Sequence, residues 1–215
     1  MIEVFCDFDG TLTSRDTLDL LLQRFAPPQW RELDAAMLSG RISEREGLKA
    51  EMALITASDE ELMATLAREV RPAEGLDDLM ELFRERGWPV TVVSGGLVHF
   101  AGALLRSWGY GDLPLLANSH RRNGGGGIEV VEADSPRIRE RCSHCKSWHL
   151  RQALDRGATL VYIGDGLTDY CPAQLAHRRY AKGNLLAHLR EQGVEAIPFR
   201  DLREVAEDLR RWGDL

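Results

Sequence analysis

Three things are missing from this chain of 215 residues. It has no apolar run of membrane-spanning length, no internal repeat and no excess of basic charge. A membrane-crossing helix needs about 20 consecutive apolar residues, so no membrane partner is expected. The 27 Lys and Arg residues are outnumbered by 34 Asp and Glu, for a net charge of −7. A general nucleic-acid or anionic-membrane binder needs a dominant basic face, so neither partner is expected. Cysteine is scarce: Cys6, Cys142, Cys145 and Cys171. The N-terminus enters a strand directly, with acidic Glu3 and no basic segment, so no signal peptide is expected. Reduced thiols in a cytoplasmic protein are the corresponding expectation. Cys142-x-x-Cys145, with His144 and His149 nearby, has no second cysteine pair to complete a structural zinc site. Low complexity is confined to Gly124–Gly127, which reads as a turn tip between short strands.

The stretch Val4-Phe5-Cys6-Asp7-Phe8-Asp9-Gly10-Thr11-Leu12-Thr13 is the most informative part of the chain. Ile2 to Phe8 is rich in β-branched and aromatic residues and reads as a strand buried on both faces. It delivers two carboxylates and then breaks at a glycine. Asp7 and Asp9 are two apart, so in an extended chain they point the same way while Phe8 turns into the core. In an open α/β sheet, ligands gather outside the carboxyl ends of the strands. The alternative is a plain strand end, in which Asp9 caps an Asp-Gly turn.

Residues 15–73 carry helical spacing and no strand signal. Ser14 or Asp16 is placed to cap a helix through Phe25, and Ala26-Pro27-Pro28 ends it. A second helix starts near Gln29 and closes at Ser39-Gly40. Ser43-Glu44-Arg45-Glu46 and Ser58-Asp59-Glu60-Glu61 are capping boxes for helices through Ile55 and Val70. From Glu74 onward helix and strand alternate. Helices are expected at 76–86, 98–108, 146–156, 184–192 and 201–212. Strands are expected at 89–93, 113–117, 128–131, 160–163, 179–181 and 195–199. That alternation implies right-handed βαβ units. The expected fold is α/β, a Rossmann-like parallel sheet core with a small helical cap inserted after the first strand. The core would comprise 1–14 and 74–215, and the cap 15–73.

Three apolar strands end in polar, glycine-rich elbows: Asp7-x-Asp9-Gly10-Thr11, Ser94-Gly95-Gly96 and Gly164-Asp165-Gly166-x-x-Asp169. A parallel sheet puts all three on one edge. Carboxylates and carbonyls without His or Cys form a hard oxygen site, which suits Mg²⁺. A substrate bringing phosphate oxygens would complete its octahedron. The Ser94 hydroxyl, backbone N–H groups near Gly95 and a lysine would hold the remaining phosphate oxygens.

The order Asp-x-Asp-Gly-Thr, Ser, Lys, Gly-Asp-x-x-x-Asp resembles the haloacid dehalogenase-like phosphatase superfamily across essentially the whole chain. The helical insert after the first motif resembles its phosphoserine phosphatase-like branch. More narrowly, Phe5–Thr11, Phe25-Ala26-Pro27-Pro28-Gln29-Trp30, Ser94-Gly95-Gly96 and the Cys-rich approach to Lys146 resemble phosphatases of the methionine-salvage enol phosphate. The resemblance implies a nucleophile at Asp7 and a proton carrier at Asp9, with a pKa raised relative to Asp7. It implies Mg²⁺ ligation by Asp7, the Asp9 backbone carbonyl and Asp165, with Asp169 behind them. Ser94 and Lys146 would hold the phosphoryl group and Thr11 would orient the first loop.

Asp16 stands where phosphoserine phosphatases carry an acid that meets the substrate amine, and it is equally placed as a helix cap. The implied activity is a Mg²⁺-dependent phosphomonoesterase acting on a small phosphorylated metabolite through an aspartyl-phosphate. Cys171-Pro172 resembles phosphocholine and phosphoethanolamine phosphatases. A phosphoserine or phosphoamine phosphatase, a phosphotransferase or mutase, and an inactive binding module are the alternatives.

Overall fold

The computed structural model describes residues 1–133, 136 and 142–212. Ile2–Cys6 forms β1, with Val4 and Cys6 fully buried, as an apolar run flanked by strands on both sides requires. It pairs in parallel with β2 (Val90–Leu97) on one side and with β5 (Thr159–Gly164) on the other. Parallel pairing continues through β6 (Arg178–Ala181) to the short β7 (Ile197–Pro198). The remaining strands, β3 (Leu115–Arg122) and β4 (Ile128–Val131), form an antiparallel hairpin. The strand order is β4-β3-β2-β1-β5-β6-β7, a mostly parallel α/β sheet.

The chain divides into two compact units. The first comprises Met1–Ser14, Arg71–Val93 and Lys146–Leu215 and holds the parallel strands around β1. Its helices are α5 (Leu76–Arg86), α7 (Lys146–Asp155), α8 (Tyr170–Leu175), α9 (Gly183–Glu191) and α10 (Leu202–Trp212). Gly87 ends α5 with φ +63°, a left-handed cap that glycine reaches without a Cβ penalty. The chain leaves this unit after Ser14 and re-enters at Arg71, then leaves again after Val93 and re-enters at Lys146; the first exit and re-entry lie side by side. Ser14 N–H donates to Arg71 O at 2.9 Å, Arg71 N–H donates to the Ser14 hydroxyl at 3.0 Å, and Thr13 bridges Pro72. The segment between can therefore be an insertion without disturbing β1.

The second unit comprises Arg15–Val70 and Ser94–Cys145. It contains α1 (Thr17–Phe25), α2 (Trp30–Leu38), α3 (Glu44–Ala53), α4 (Asp59–Glu69), α6 (Val98–Ser107) and the β3/β4 hairpin. Both expected capping boxes form: Ser43 accepts from Glu46 N–H at 3.1 Å, and Ser58 accepts from Glu61 N–H at 3.2 Å. Asp16 caps α1 by accepting from Asp19 N–H at 2.9 Å.

Three strand boundaries differ most from the sequence reading, one being β7, which shrinks from 195–199 to Ile197–Pro198. β2 does not stop at Val93 but runs through Ser94-Gly95-Gly96 to Leu97. Those residues are held extended by long-range partners: Asn118 Nδ2 donates to Gly95 O at 2.8 Å. β3 starts later than 113 and reaches Arg122, because cross-strand pairs such as Arg121 with Glu129 at 2.6 Å stabilise a polar hairpin that lacks hydrophobic alternation. α8, which begins just past Asp169, has no counterpart in the sequence reading.

Candidate active site

In the first unit, β1 and β5 run in register, Cys6 opposite Ile163, and Asp7 N–H donates to Ile163 O at 2.9 Å. Both strands therefore end at the same edge, the carboxyl edge where α/β sheets place ligands. Asp7 follows β1, and Asp165 follows β5. The chain then tightens into a 3₁₀ turn over Leu167–Asp169. One carboxylate oxygen from each of Asp7, Asp165 and Asp169 lies within 4.8 Å of the others.

Lys146, the first residue of α7, is the cation of this cluster and is only 4% exposed. Its ammonium donates to Asp7 Oδ1 at 2.5 Å, to Asp169 Oδ1 at 2.6 Å and to the Thr168 hydroxyl at 3.3 Å. A buried ammonium is costly unless paired and hydrogen-bonded. Burial alone would push the Lys146 pKa down; Asp169 and Asp7 overcome this and hold it well up. Asp169 is fully engaged. Its Oδ1 also accepts the Tyr162 hydroxyl at 2.6 Å, and its Oδ2 accepts the N–H groups of Asp165 and Gly166 at 3.0 and 3.1 Å. A Cβ at Gly164 would come within 2.8 Å of Asp169 Cγ, so glycine is required where the strand passes this carboxylate.

Thr11, fully buried, donates to Asp165 Oδ1 at 2.9 Å and fixes that carboxylate. The loop between them is tight: Gly10 has φ +72°, a Cβ there would collide with the Asp165 carboxylate, and Gly10 N–H donates to Thr13 Oγ1 at 2.8 Å. Asp9 is half-buried at the head of this turn.

Three carboxylates cluster around one ammonium, and the imbalance shows in Asp7 and Asp165. Burial pushes the Asp7 carboxyl well up, and Asp169 and Asp165 add to this against the opposing pull of Lys146. Burial and Asp169 likewise raise Asp165. A second cation, Lys182, lies in this electrostatic field; burial lowers its pKa while Asp165 opposes that. A site that holds hard oxygens and disfavours their full ionisation fits a divalent cation of the Mg²⁺ type. Asp7, Asp165 and Asp169 each offer a carboxylate oxygen to such an ion, and the Asp169 oxygens already accept from Lys146, Tyr162 and two backbone N–H groups.

Ser94 and Gly95 belong to the second unit. Ser94 is 1% exposed; its hydroxyl accepts from Gly96 N–H at 2.9 Å, and its carbonyl meets His144 Nδ1 at 2.8 Å. Ser143 donates to Glu44 Oε1 at 2.6 Å and to Gly95 O at 3.4 Å. The Cys-x-x-Cys segment thus anchors the Ser94 strand through Ser143 and His144. Cys142 and Cys145 join no group of three metal-capable side chains among the described residues. His99 packs against Phe100 and His120, and Trp30 is buried under Arg31. Sequence reasoning missed Tyr162, Thr168, Lys182, Asn118 and Ser143. Only Tyr162 carried a signal, a phenol inside an otherwise apolar strand, which needs a partner for its hydroxyl.

A parallel sheet with carboxylates at two adjacent strand ends places a hard-oxygen cluster at the edge where α/β proteins hold ligands. A haloacid dehalogenase-like hydrolase family model matches residues 4–174, and the chain belongs to that family. Over nearly its full length it is similar to curated proteins named 2-hydroxy-3-keto-5-methylthiopentenyl-1-phosphate phosphatase. The Bacillus velezensis protein is 30% identical over 213 residues, 99% of this chain and 91% of the relative. The Geobacillus kaustophilus protein is 31% identical over 209 residues, 97% of this chain and 95% of the relative. A substrate-bound phosphoserine phosphatase structure superposes with TM-score 0.72 at 22% identity, over 96% of this chain and 98% of that one. At that identity the likeness is one of fold.

Proposed function

We propose that the chain is a Mg²⁺-dependent phosphomonoesterase that works through an aspartyl-phosphate on Asp7. The observation that carries this reading is the buried Lys146 ammonium shared between Asp7 and Asp169, with Asp165 beside them. Asp7 attacks phosphorus through a carboxylate oxygen. The ester P–O bond breaks, and the departing alcohol oxygen keeps the electron pair and takes a proton from Asp9. Asp9 then removes a proton from the water whose oxygen attacks the same phosphorus. The Asp7–phosphorus bond breaks and inorganic phosphate leaves. Lys146 offsets charge on the phosphoryl oxygens, and Ser94 with the Gly95 N–H holds the others. Asp7, the Asp9 carbonyl and Asp165 would hold Mg²⁺, which supplies neutralising charge when bound.

The favoured substrate is 2-hydroxy-3-keto-5-methylthiopentenyl-1-phosphate, the ester in the names of the two curated relatives. Residues 15–73 serve as the cap that recognises its organic part. The cellular setting consistent with such a metabolite is the cytoplasm. A panel of metabolite phosphates assayed with Mg²⁺, including this enol phosphate, phosphoserine and phosphoethanolamine, tests the reading. Phosphate release with the enol phosphate leading is expected. Release from no ester, including an aryl phosphate, would leave only a binding module, and transfer to added alcohols in preference to water would make it a phosphotransferase.

A further inference from the structure

Three neighbouring strands of the first unit are each followed by a charged residue at one edge. Asp7 follows β1, Asp165 follows β5 and Lys182 follows β6, with Gly164 and Ala181 in register. Backbone bonds fix Lys182 there. Its N–H donates to Gly164 O at 3.3 Å, and Leu185 N–H, in the first turn of α9, donates to Asp165 O at 2.8 Å. Lys182 is half-buried with its ammonium over the Phe199 ring, 5.2 Å from the centroid, and among the described residues that ammonium makes no hydrogen bond or ion pair. The charges that act on it most are Asp165, Asp201 and Asp7. Asp201 is turned to α10, where its Oδ1 accepts from the N–H groups of Arg203 and Glu204 at 2.9 and 3.1 Å. Lys146 is in the opposite condition. An ammonium has three N–H bonds to donate, and those of Lys146 go to Asp7, Asp169 and Thr168. A phosphoryl oxygen arriving beside Asp7 therefore meets no unused donor on Lys146.

We infer that Lys182 binds the phosphate group, donating from its unpartnered ammonium to an oxygen of the phosphate ester and of the inorganic phosphate that leaves. The inference rests on the phosphatase reading, in which phosphorus is brought to Asp7. Lys182 is close enough to Asp165 and Asp7 for their charges to act on it and is bonded to neither, so its donors are available to a third group. The two lysines then divide the work. Lys146, saturated by its own partners, holds Asp7 and Asp169 together and acts on the phosphoryl group through space, while Lys182 makes the direct, charge-assisted contact.

Inorganic phosphate, the product, is the probe. Calorimetric titration of the full chain with phosphate in the presence of Mg²⁺, and with Mg²⁺ alone, separates the anion from the metal. Lys182→Met should weaken phosphate binding about tenfold, equivalent to about 1.4 kcal/mol. The same variant should leave Mg²⁺ affinity unchanged or tighter, because it removes a positive charge near the carboxylates. Lys182→Gln, a second neutral side chain, should behave alike, and Lys182→Arg should keep phosphate affinity within about threefold. Phosphate affinity unchanged in both neutral variants, Mg²⁺ affinity lost in step with phosphate, a Lys182→Arg protein as weak as Lys182→Met, or no measurable phosphate binding by wild type would each overturn the inference. Phosphate release from an aryl phosphate by wild type is scored separately. Turnover with phosphate affinity unchanged in the neutral variants defeats Lys182 alone. No turnover by a wild type that binds phosphate through Lys182 defeats the phosphatase reading and leaves the anion contact standing.

Discussion

Asp169 holds Lys146 in place: its Oδ1 receives the lysine ammonium at 2.6 Å while accepting the Tyr162 hydroxyl on the same oxygen. The other oxygen takes two backbone N–H groups from the segment that presents Asp165. Both oxygens are engaged by donors, so on the proposed reading Asp169 positions a cation and a carboxylate rather than binding metal itself. Asp169→Asn keeps the shape but cannot accept on its amide side. Loss of such an orienting partner typically costs about 10–100-fold in metal affinity. The Mg²⁺ concentration for half-maximal activity should rise by that factor, with a smaller change in the KM for substrate.

Tyr162→Phe removes one hydroxyl and nothing else. Burial, with Asp169 and Asp7, keeps that phenol well above its ordinary pKa, so it donates as a neutral group. A hydrogen bond to a charged acceptor contributes about 1.5–3 kcal/mol. Urea unfolding of Tyr162→Phe should show a loss in that range at unchanged slope, and no loss would mean that Asp169 finds another donor.

Glu51 gives a stability profile with a definite sign. Burial on α3 and the charges of Asp34, Asp16 and Asp19 raise its carboxyl from 4.5 to about 7, so between those values the native state holds a proton that the unfolded chain has released. Stability from this group is complete below about pH 4.5 and is lost as pH rises through about 7, amounting to at most about 3 kcal/mol. Unfolding of wild type and Glu51→Gln, both in chelator so that Asp7 and Asp165 contribute alike, should give curves that diverge with rising pH, the variant becoming the more stable. Parallel curves would show that Glu51 is already paired.

The parallel core and most of the acid cluster were legible because their signals are local. β1 is a continuous apolar run, Asp7 and Asp165 stand just past strand ends, and the Ser43 and Ser58 boxes announce their helices. Ser94-Gly95-Gly96 reads as a turn because three small residues carry no strand propensity, and its extension depends on Asn118, 23 residues away. Tyr162 and Thr168 enter the site through contacts with Asp169 and Lys146 that no spacing rule reveals. Glu51 looks like a solvated helix position, since its burial is set by helices that pack around it.

The central claim is that Asp7 carries the phosphoryl group. Acid-quenched protein, taken during turnover of an aryl phosphate with Mg²⁺ and reduced with borohydride, converts an acyl phosphate to homoserine. Peptide mass spectrometry should find homoserine at position 7 and nowhere else, and Asp7→Asn should give neither the product nor turnover. Turnover with an unmodified position 7, or homoserine at another aspartate, would contradict the account.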